Sequence, residues 1–450
     1  MNKIGWAQRD FTPDRPAMIQ GQMHRRIGSS AIDPLTVTAM AVEGRKAKII
    51  IISTDMAYIT DELTDEVASA MKGKYPIFNS DDFIINATHT HTSLVIDDDF
   101  YDYPGGNVMR PAEARALLVQ KCVEAAIEAW ENRQPVMIGR AFSGNVVVGH
   151  NRYAIYSDGM AQMYGKTNRP DFTGIGGYED HSMDMLFTWD TSGILRGIIL
   201  DIPCPSQVDE HLESFSADYW HDIRSELRKR FGAHINVLSF CGAAGDQSPH
   251  LLVYGKEEAD MLKRRGLTER QEIARRVANA VEDALVATVP VMGDFEIKHL
   301  VRRVKLERFK IMAEHKKWAK ERLKEWSNAG GDPESWWPRL LREVIKAGKQ
   351  TQKPPFVVTV HAVRLGDAAI VTNPFELFQE YGLRMKSRSP AAQTLVVQLA
   401  CGRGMYLPSE RANKSGGYGA NPVVCQVGPE GGSTLVETSL KMLNQLFGGK

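Results

Sequence analysis

Between Ala47 and Thr54 the chain carries four consecutive isoleucines, a run of strand length with no polar position to turn toward water. Such a run predicts a strand covered on both faces. Thr60 to Lys72 follows with helical spacing and acidic residues in its first turn, which suit the positive end of a helix dipole. Asp82 to Ala87 returns to strand character and stops at a polar cluster. Pro111 to Asn132 reads as an amphipathic helix, with proline at its start and one apolar stripe. The alternation then recurs. Met185 to Trp189 and Ile194 to Ile202 predict a hairpin turning at Thr191-Ser192-Gly193. Ala217 to Phe231 is helical, Ile235 to Phe240 is a strand running into a glycine-rich turn, and Arg270 to Thr288 is another helix. Strands return at Phe356 to Leu365 and Ala368 to Thr372. The pattern predicts an α/β architecture with helices packed on a largely buried sheet.

Residues 305–350 depart from this rhythm. They are dense in Lys, Arg, Glu and Trp, and Gly330-Gly331-Asp332-Pro333 separates two helical stretches. We read residues 1–450 as one domain, with 305–350 as a helical hairpin inserted in it. That hairpin is either a solvated excursion or a cap presenting Trp326, Trp336 and Trp337 to a site.

Charge narrows the partners. Lys+Arg and Asp+Glu both total 55, and the basic pairs Arg302-Arg303 and Lys316-Lys317 are interleaved with acids. No nucleic-acid partner is expected from that balance. The longest apolar runs fall far short of the ~18 residues that span a bilayer, so no transmembrane segment is expected. Met1-Asn2-Lys3-Ile4 opens without an apolar signal core, which leaves cytoplasmic residence or export after loss of a leader as the two expectations. Cys122, Cys204, Cys241, Cys401 and Cys425 lie far apart, a spacing of buried free thiols rather than of a disulfide framework or a zinc knuckle. Equal charge totals say nothing about oligomeric state.

Three segments carry chemistry. In Thr88-His89-Thr90-His91-Thr92 the two histidines sit at i and i+2 of an extended strand end and so share a face. Neutral imidazole is a good zinc ligand, and the pair suits one ligand beside one proton-transfer group. A hydrogen-bonded surface pair is the plainer reading. In Gly242-Ala243-Ala244-Gly245-Asp246-Gln247-Ser248, small residues let backbone N–H groups approach a substrate oxygen beside one hydroxyl, although the spacing is not that of the G-x-S-x-G elbow. In Asn373-Pro374-Phe375-Glu376-Leu377-Phe378 a lone carboxylate sits among apolar neighbours, where it is either relieved by a cation or exposed on the helix that follows.

These segments, in this order and at roughly this separation, resemble the neutral/alkaline ceramidase family. So do Gly5-Trp6-Ala7-Gln8-Arg9-Asp10-Phe11-Thr12-Pro13, Gly21-Gln22-Met23-His24, Asn151-Arg152-Tyr153 and Ser216-Ala217-Asp218-Tyr219. The resemblance covers nearly the whole chain. It implies a mixed β-sheet flanked by helices on both faces and one Zn²⁺ held by two His, one Glu and one Tyr. His89 matches the first histidine, Glu376 the glutamate and Tyr406 the tyrosine. His91 matches a histidine outside the metal shell, Ser248 the serine proposed as nucleophile or substrate anchor, and Arg152 an arginine that orients substrate. Gln22, His24, Asn151, Asp246 and Tyr418, in or near the matching segments, are expected on the substrate side.

Two departures follow from the same comparison. Where the family has its second zinc histidine, the strand Gly197 to Ile202 runs into Pro203-Cys204-Pro205-Ser206-Gln207, with Cys204 in the histidine's place. Cys204 thiolate as ligand, His211 as a substitute imidazole, and weak or absent metal binding are the three consequences. Family members also carry a further C-terminal β-sandwich, to which the resemblance does not extend, so ceramide itself is not implied. The expected activity is zinc-dependent hydrolysis of an amide (N-acyl) bond in a small-molecule or glycan- or lipid-derived substrate. A zinc enzyme acting on a carbohydrate and a non-catalytic binding domain are the alternatives.

Overall fold

The computed structural model describes residues 1–98, 100–331, 335–347 and 354–448. Its centre is an eight-stranded mixed sheet. In spatial order the strands are Asn236–Cys241, Leu195–Ile202, Met183–Asp190, Gln134–Ser143, Lys3–Asp10, Thr36–Glu43, Lys48–Thr54 and Phe83–Ala87. Neighbours run antiparallel except at the two edges, where Phe83–Ala87 lies parallel to Lys48–Thr54 and Asn236–Cys241 parallel to Leu195–Ile202. The sheet curls until its edges meet. Ser53 Oγ and Asn86 Nδ2 both donate to the Ser239 carbonyl, at 2.6 and 3.1 Å.

The isoleucine run shows why both faces are apolar. Ile50 and Ile52 pack with the helices Asp61–Lys74 and Pro111–Glu131, while Ile49 and Ile51 point the other way. There they meet Val363, Ile370 and Leu395 of a second, four-stranded sheet, ordered Ile297–Leu306, Phe356–Leu365, Ala368–Thr372 and Gln393–Val397. A second helical group, Tyr219–Phe231 with Glu269–Ala287, covers the other half of the first sheet. The C-terminal helix Pro429–Phe447 covers the outer face of the second. The α/β expectation holds, with helices on the outer faces and a second sheet sandwiched inside.

Within the expected insertion, helices Ala313–Asn328 and Trp336–Lys346 are present. Asp332-Pro333 and residues 348–350 of that expectation lie outside the described residues. The strand Ile297–Leu306 was not expected. Its sequence, IKHLVRRVKL, places charge at four of ten positions because it is an edge strand with one face toward solvent.

One buried ion pair joins these layers. Arg224 of Tyr219–Phe231 is 4 % exposed and Asp55, at the end of Lys48–Thr54, is 0 % exposed. Nη1 and Nη2 of Arg224 contact the two carboxylate oxygens at 2.7 and 2.9 Å, and Nη2 also reaches Ser239 Oγ at 3.0 Å. Asp55 accepts further from the Thr36 N–H and hydroxyl, both at 2.8 Å, and from Thr88 Oγ1 at 3.2 Å. Arg224→Ala should cost about 3–5 kcal/mol, because it leaves a carboxylate buried without its counter-charge. A urea denaturation midpoint reads that loss.

A second buried cluster has too few cations. Lys386 Nζ lies 2.7 Å from Asp184 and 3.7 Å from Asp180, and Asp201 nearby accepts the Val396 N–H at 3.0 Å. Burial first, then the Asp184 charge, push Asp201 up to about 7 against the pull of Lys386. Its folded value therefore lies above its unfolded one of 3.8, so its contribution is fully present below 3.8 and is lost as pH rises through about 7. Asp201→Asn should flatten the stability profile across that window and raise the denaturation midpoint at pH 8.

Candidate active site

The curled sheet sets the ends of its two parallel edge strands side by side, and the loops beyond them carry His89 and the Gly242–Ser248 segment. Thr88 N–H bonds the Thr54 carbonyl and Thr90 N–H that of Met56, so the histidine loop lies along the end of Lys48–Thr54. His89 has φ 65° and is buried. Leu399, Cys401 and Met405, close by, are also left-handed non-glycine residues, at φ 52°, 54° and 57°. Such conformations cost of order 1–3 kcal/mol each and persist where surrounding packing over-determines them.

Glu376 and Tyr406 come from a short parallel ribbon, Phe375–Leu377 with Met405–Leu407, in which they are direct register partners. Side chains at paired positions share a face, so the carboxylate and the phenol point the same way, toward His89. His89 Nδ1 lies 2.6 Å from the Ala57 carbonyl and Nε2 lies 3.2 Å from Glu376 Oε2. The Ala57 contact assigns the proton of a neutral ring to Nδ1. Nε2 then turns a lone pair on a carboxylate, an arrangement that requires a positive charge, either a second ring proton or a bound cation. Imidazole nitrogen and carboxylate are ordinary zinc donors, so this part of the expected ligand set fits the metal.

Burial pushes the Glu376 carboxyl up, but His89, Tyr406 and Arg152 more than offset it and hold it below its ordinary value. Burial also raises the Tyr406 hydroxyl well above its ordinary value, against Arg152. His89, Glu376 and Tyr406 border a cavity of about 100 Å³, whose wall includes His91, Gln22, Trp336 and Tyr418. Tyr418 packs edge-on to Tyr406 and stacks on Trp337, and Trp336 meets Phe100 edge-on.

His91 lies edge-on to His89, with ring centroids 4.9 Å apart. Gly21 must be glycine here, since a Cβ at its φ of 122° would sit 2.6 Å from the His91 ring. Gln207 Nε2 contacts His91 Nε2 at 2.7 Å and Glu210 Oε2 lies 3.4 Å from Nδ1. Burial lowers the His91 pKa while Glu210 resists, and His91 in turn helps hold Glu210 down to about 2 against its burial. Gln22 donates to the Glu210 carbonyl at 3.1 Å.

The remaining expected residues lie elsewhere. Cys204 does not join His89 and Glu376, because those three do not form a group with ligand atoms within 4.8 Å of one another. Its buried Sγ faces the carbonyls of Val148 and Pro205, at 3.6 and 3.4 Å, and burial raises its pKa well above the ordinary thiol value. The physical reason is the turn at Pro203-Cys204-Pro205, which directs Cys204 into the helix-side core and presents Gln207 to His91 instead. His211 is 79 % exposed, with Nε2 3.8 Å from Glu210 Oε1, and does not line the cavity. Arg152 is buried behind Tyr406, with Nη2 donating to the Tyr406 hydroxyl at 3.0 Å and the Gly245 carbonyl at 2.9 Å. Asp246 accepts from Asn151 Nδ2 at 3.1 Å and from the Gln379 N–H at 2.9 Å, an internal brace rather than a cavity wall. Ser248 is fully buried, its Oγ 3.1 Å from the Tyr164 hydroxyl and from the His250 N–H that donates to it. His24 is exposed.

Gln207 and Glu210 were not singled out for the site on sequence grounds, whereas Trp336 was one of the three tryptophans of the cap reading and does line the cavity. Gln207 carried the one usable signal, since it closes the polar segment after an apolar strand end.

No family model matches the sequence, and no curated protein matches it by sequence. Solved structures do match. The neutral ceramidase of Pseudomonas aeruginosa superposes with a TM-score of 0.72 at 16 % identity, covering 99 % of this chain and 74 % of that one. A ceramidase complexed with C2 gives 0.72 at 17 %, covering 99 % and 75 %. Across virtually its whole length, the chain therefore has the α/β fold of the neutral ceramidases.

Proposed function

We propose that the chain is a zinc-dependent hydrolase that cleaves an amide (N-acyl) bond at the cavity bordered by His89, Glu376 and Tyr406. The observation that carries this reading is His89 Nε2 held 3.2 Å from the Glu376 carboxylate while Nδ1 faces the Ala57 carbonyl, a pair that a cation bound between them would satisfy. His89, Glu376 and Tyr406 would hold the ion, and Cys204 would not. A bound zinc supplies a Lewis acid for a carbonyl and lowers the pKa of water to about 7.

The chain's own residues then have separable tasks. His91, kept neutral by burial and steadied by Gln207 and Glu210, takes up a proton at a ring nitrogen. Arg152 fixes the Tyr406 hydroxyl from behind, which makes it a positioning residue. Trp336 and Tyr418 close the apolar side, and the helices Ala313–Asn328 and Trp336–Lys346 act as a cap through that tryptophan. A cavity of about 100 Å³ admits a group the size of roughly three waters. That suits the scissile amide rather than a whole lipid. The aromatic lining by Trp336 and Tyr418 also favours a second reading, in which the bond belongs to an acylated or glycosidic sugar.

Elemental analysis after zinc loading and dialysis tests the site. One equivalent of zinc should be lost from His89→Ala and from Glu376→Gln and retained in Cys204→Ala. Hydrolysis of N-acyl substrates should fall in His89→Ala by at least about a hundredfold, the scale seen even for outer partners of a metal site. Zinc content unaffected by His89→Ala would remove the metal from this cavity, and acyl-sugar cleavage without N-acyl cleavage would select the second reading. Glu210→Gln provides a pH test. Glu210 raises the His91 pKa, so its loss should move the acid limb of kcat/KM to lower pH.

A further inference from the structure

A different trio, outside the cavity, has the geometry of a metal site. Among the described residues, His150, Glu179 and His181 form a group whose ligand atoms all lie within 4.8 Å of one another. Glu179 Oε2 is 3.5 Å from His150 Nδ1 and 3.2 Å from His181 Nε2. Ligands at about 2.0–2.2 Å from a tetrahedral ion are separated by roughly 3.3 Å, so both edges already match an ion placed between them. The His181 contact is not a hydrogen bond. His181 Nε2 is a buried atom with no hydrogen-bond partner, although a carboxylate oxygen is 3.2 Å away.

The ligands are also held from behind, as metal ligands are. Glu179 Oε1 accepts the Asn151 N–H at 3.1 Å, which leaves Oε2 to face the two imidazoles. The His181 carbonyl accepts the Val146 N–H at 2.8 Å. His150 sits on the short strand His150–Asn151, paired with Ser248 of Gln247–Ser248. The His150 side chain is 9 % exposed, while Glu179 and His181 are 30 % and 32 % exposed, so one side of the trio opens to water.

We infer that His150, Glu179 and His181 bind a divalent transition-metal ion, with a fourth position open to solvent. Two nitrogen donors and one carboxylate oxygen select Zn²⁺ and its neighbours over Ca²⁺ or Mg²⁺, which take oxygen. The ion ties the Val146–Arg152 segment to the loop entering Met183–Asp190. Since Arg152 ends that segment and holds Tyr406, the ion braces the rear of the cavity from a separate site. The inference does not rest on the hydrolase reading.

Titrating chelator-stripped protein with Co²⁺, followed by visible absorption, tests it. Wild type should bind about two equivalents, and His181→Ala and the near-isosteric Glu179→Gln about one each. Far-UV circular dichroism of both variants in chelator should match wild type. A His89→Ala/His181→Ala double variant should bind none. His181→Ala and Glu179→Gln that keep the wild-type stoichiometry and spectrum would overturn the inference. Loss of one equivalent in those two variants with none lost in His89→Ala would uphold it while removing the metal from the cavity.

Discussion

The Asp55–Arg224 pair is the constraint on which the remaining architecture hangs. Its bonds reach the start of Thr36–Glu43, the end of Lys48–Thr54, the helix Tyr219–Phe231, Ser239 on the far edge strand and Thr88 beside His89. A buried charge tolerates little displacement, because any partner that moves away leaves a desolvated ion behind. The curl that brings the sheet edges together and the placement of the histidine loop are thus coupled through one carboxylate. An apolar core alone would stabilise the layers without specifying where residue 88 stops.

Beside that rigid point the cavity concentrates unfavourable features. Three left-handed non-glycine residues, His89, Leu399 and Met405, and a carboxylate with little solvent gather around one small space. Each is costly alone, and packing elsewhere holds them in place. The aromatic wall of Trp336 and Tyr418 excludes water from one side, which strengthens every electrostatic interaction inside.

Much of this was legible in the chain and some was not. The isoleucine run announced a strand buried on both faces, and Pro111 announced a helix start, because local chemistry dictates both. The convergence of His89, Glu376 and Tyr406 was accessible through resemblance alone, since His89 lies in the loop beyond Phe83–Ala87 and the other two occupy the middle of three-residue strands too short to show alternation. Cys204 misled because spacing along the chain does not show which way a Pro-Cys-Pro turn faces. The second sheet between the helical layers was only half legible, since Phe356–Leu365 and Ala368–Thr372 read as strands while the charges of the edge strand Ile297–Leu306 masked its alternation. Glu179 and His181 lie in a loop without periodicity, so their approach to His150 exists only in three dimensions.

The contact between His89 and Glu376 joins residues 287 apart in sequence, and their ribbon partner lies further still. Contacts of such separation form late, after loop closure over most of the chain has been achieved. During synthesis, a nascent chain that stops short of Glu376 holds His89, Ala57 and His91 but neither the carboxylate nor the phenol that His89 faces across the cavity. The cavity's wall is therefore completed only with the last part of the fold, and a chain ending before Glu376 would carry every strand of the first sheet without the Glu376–Tyr406 ribbon.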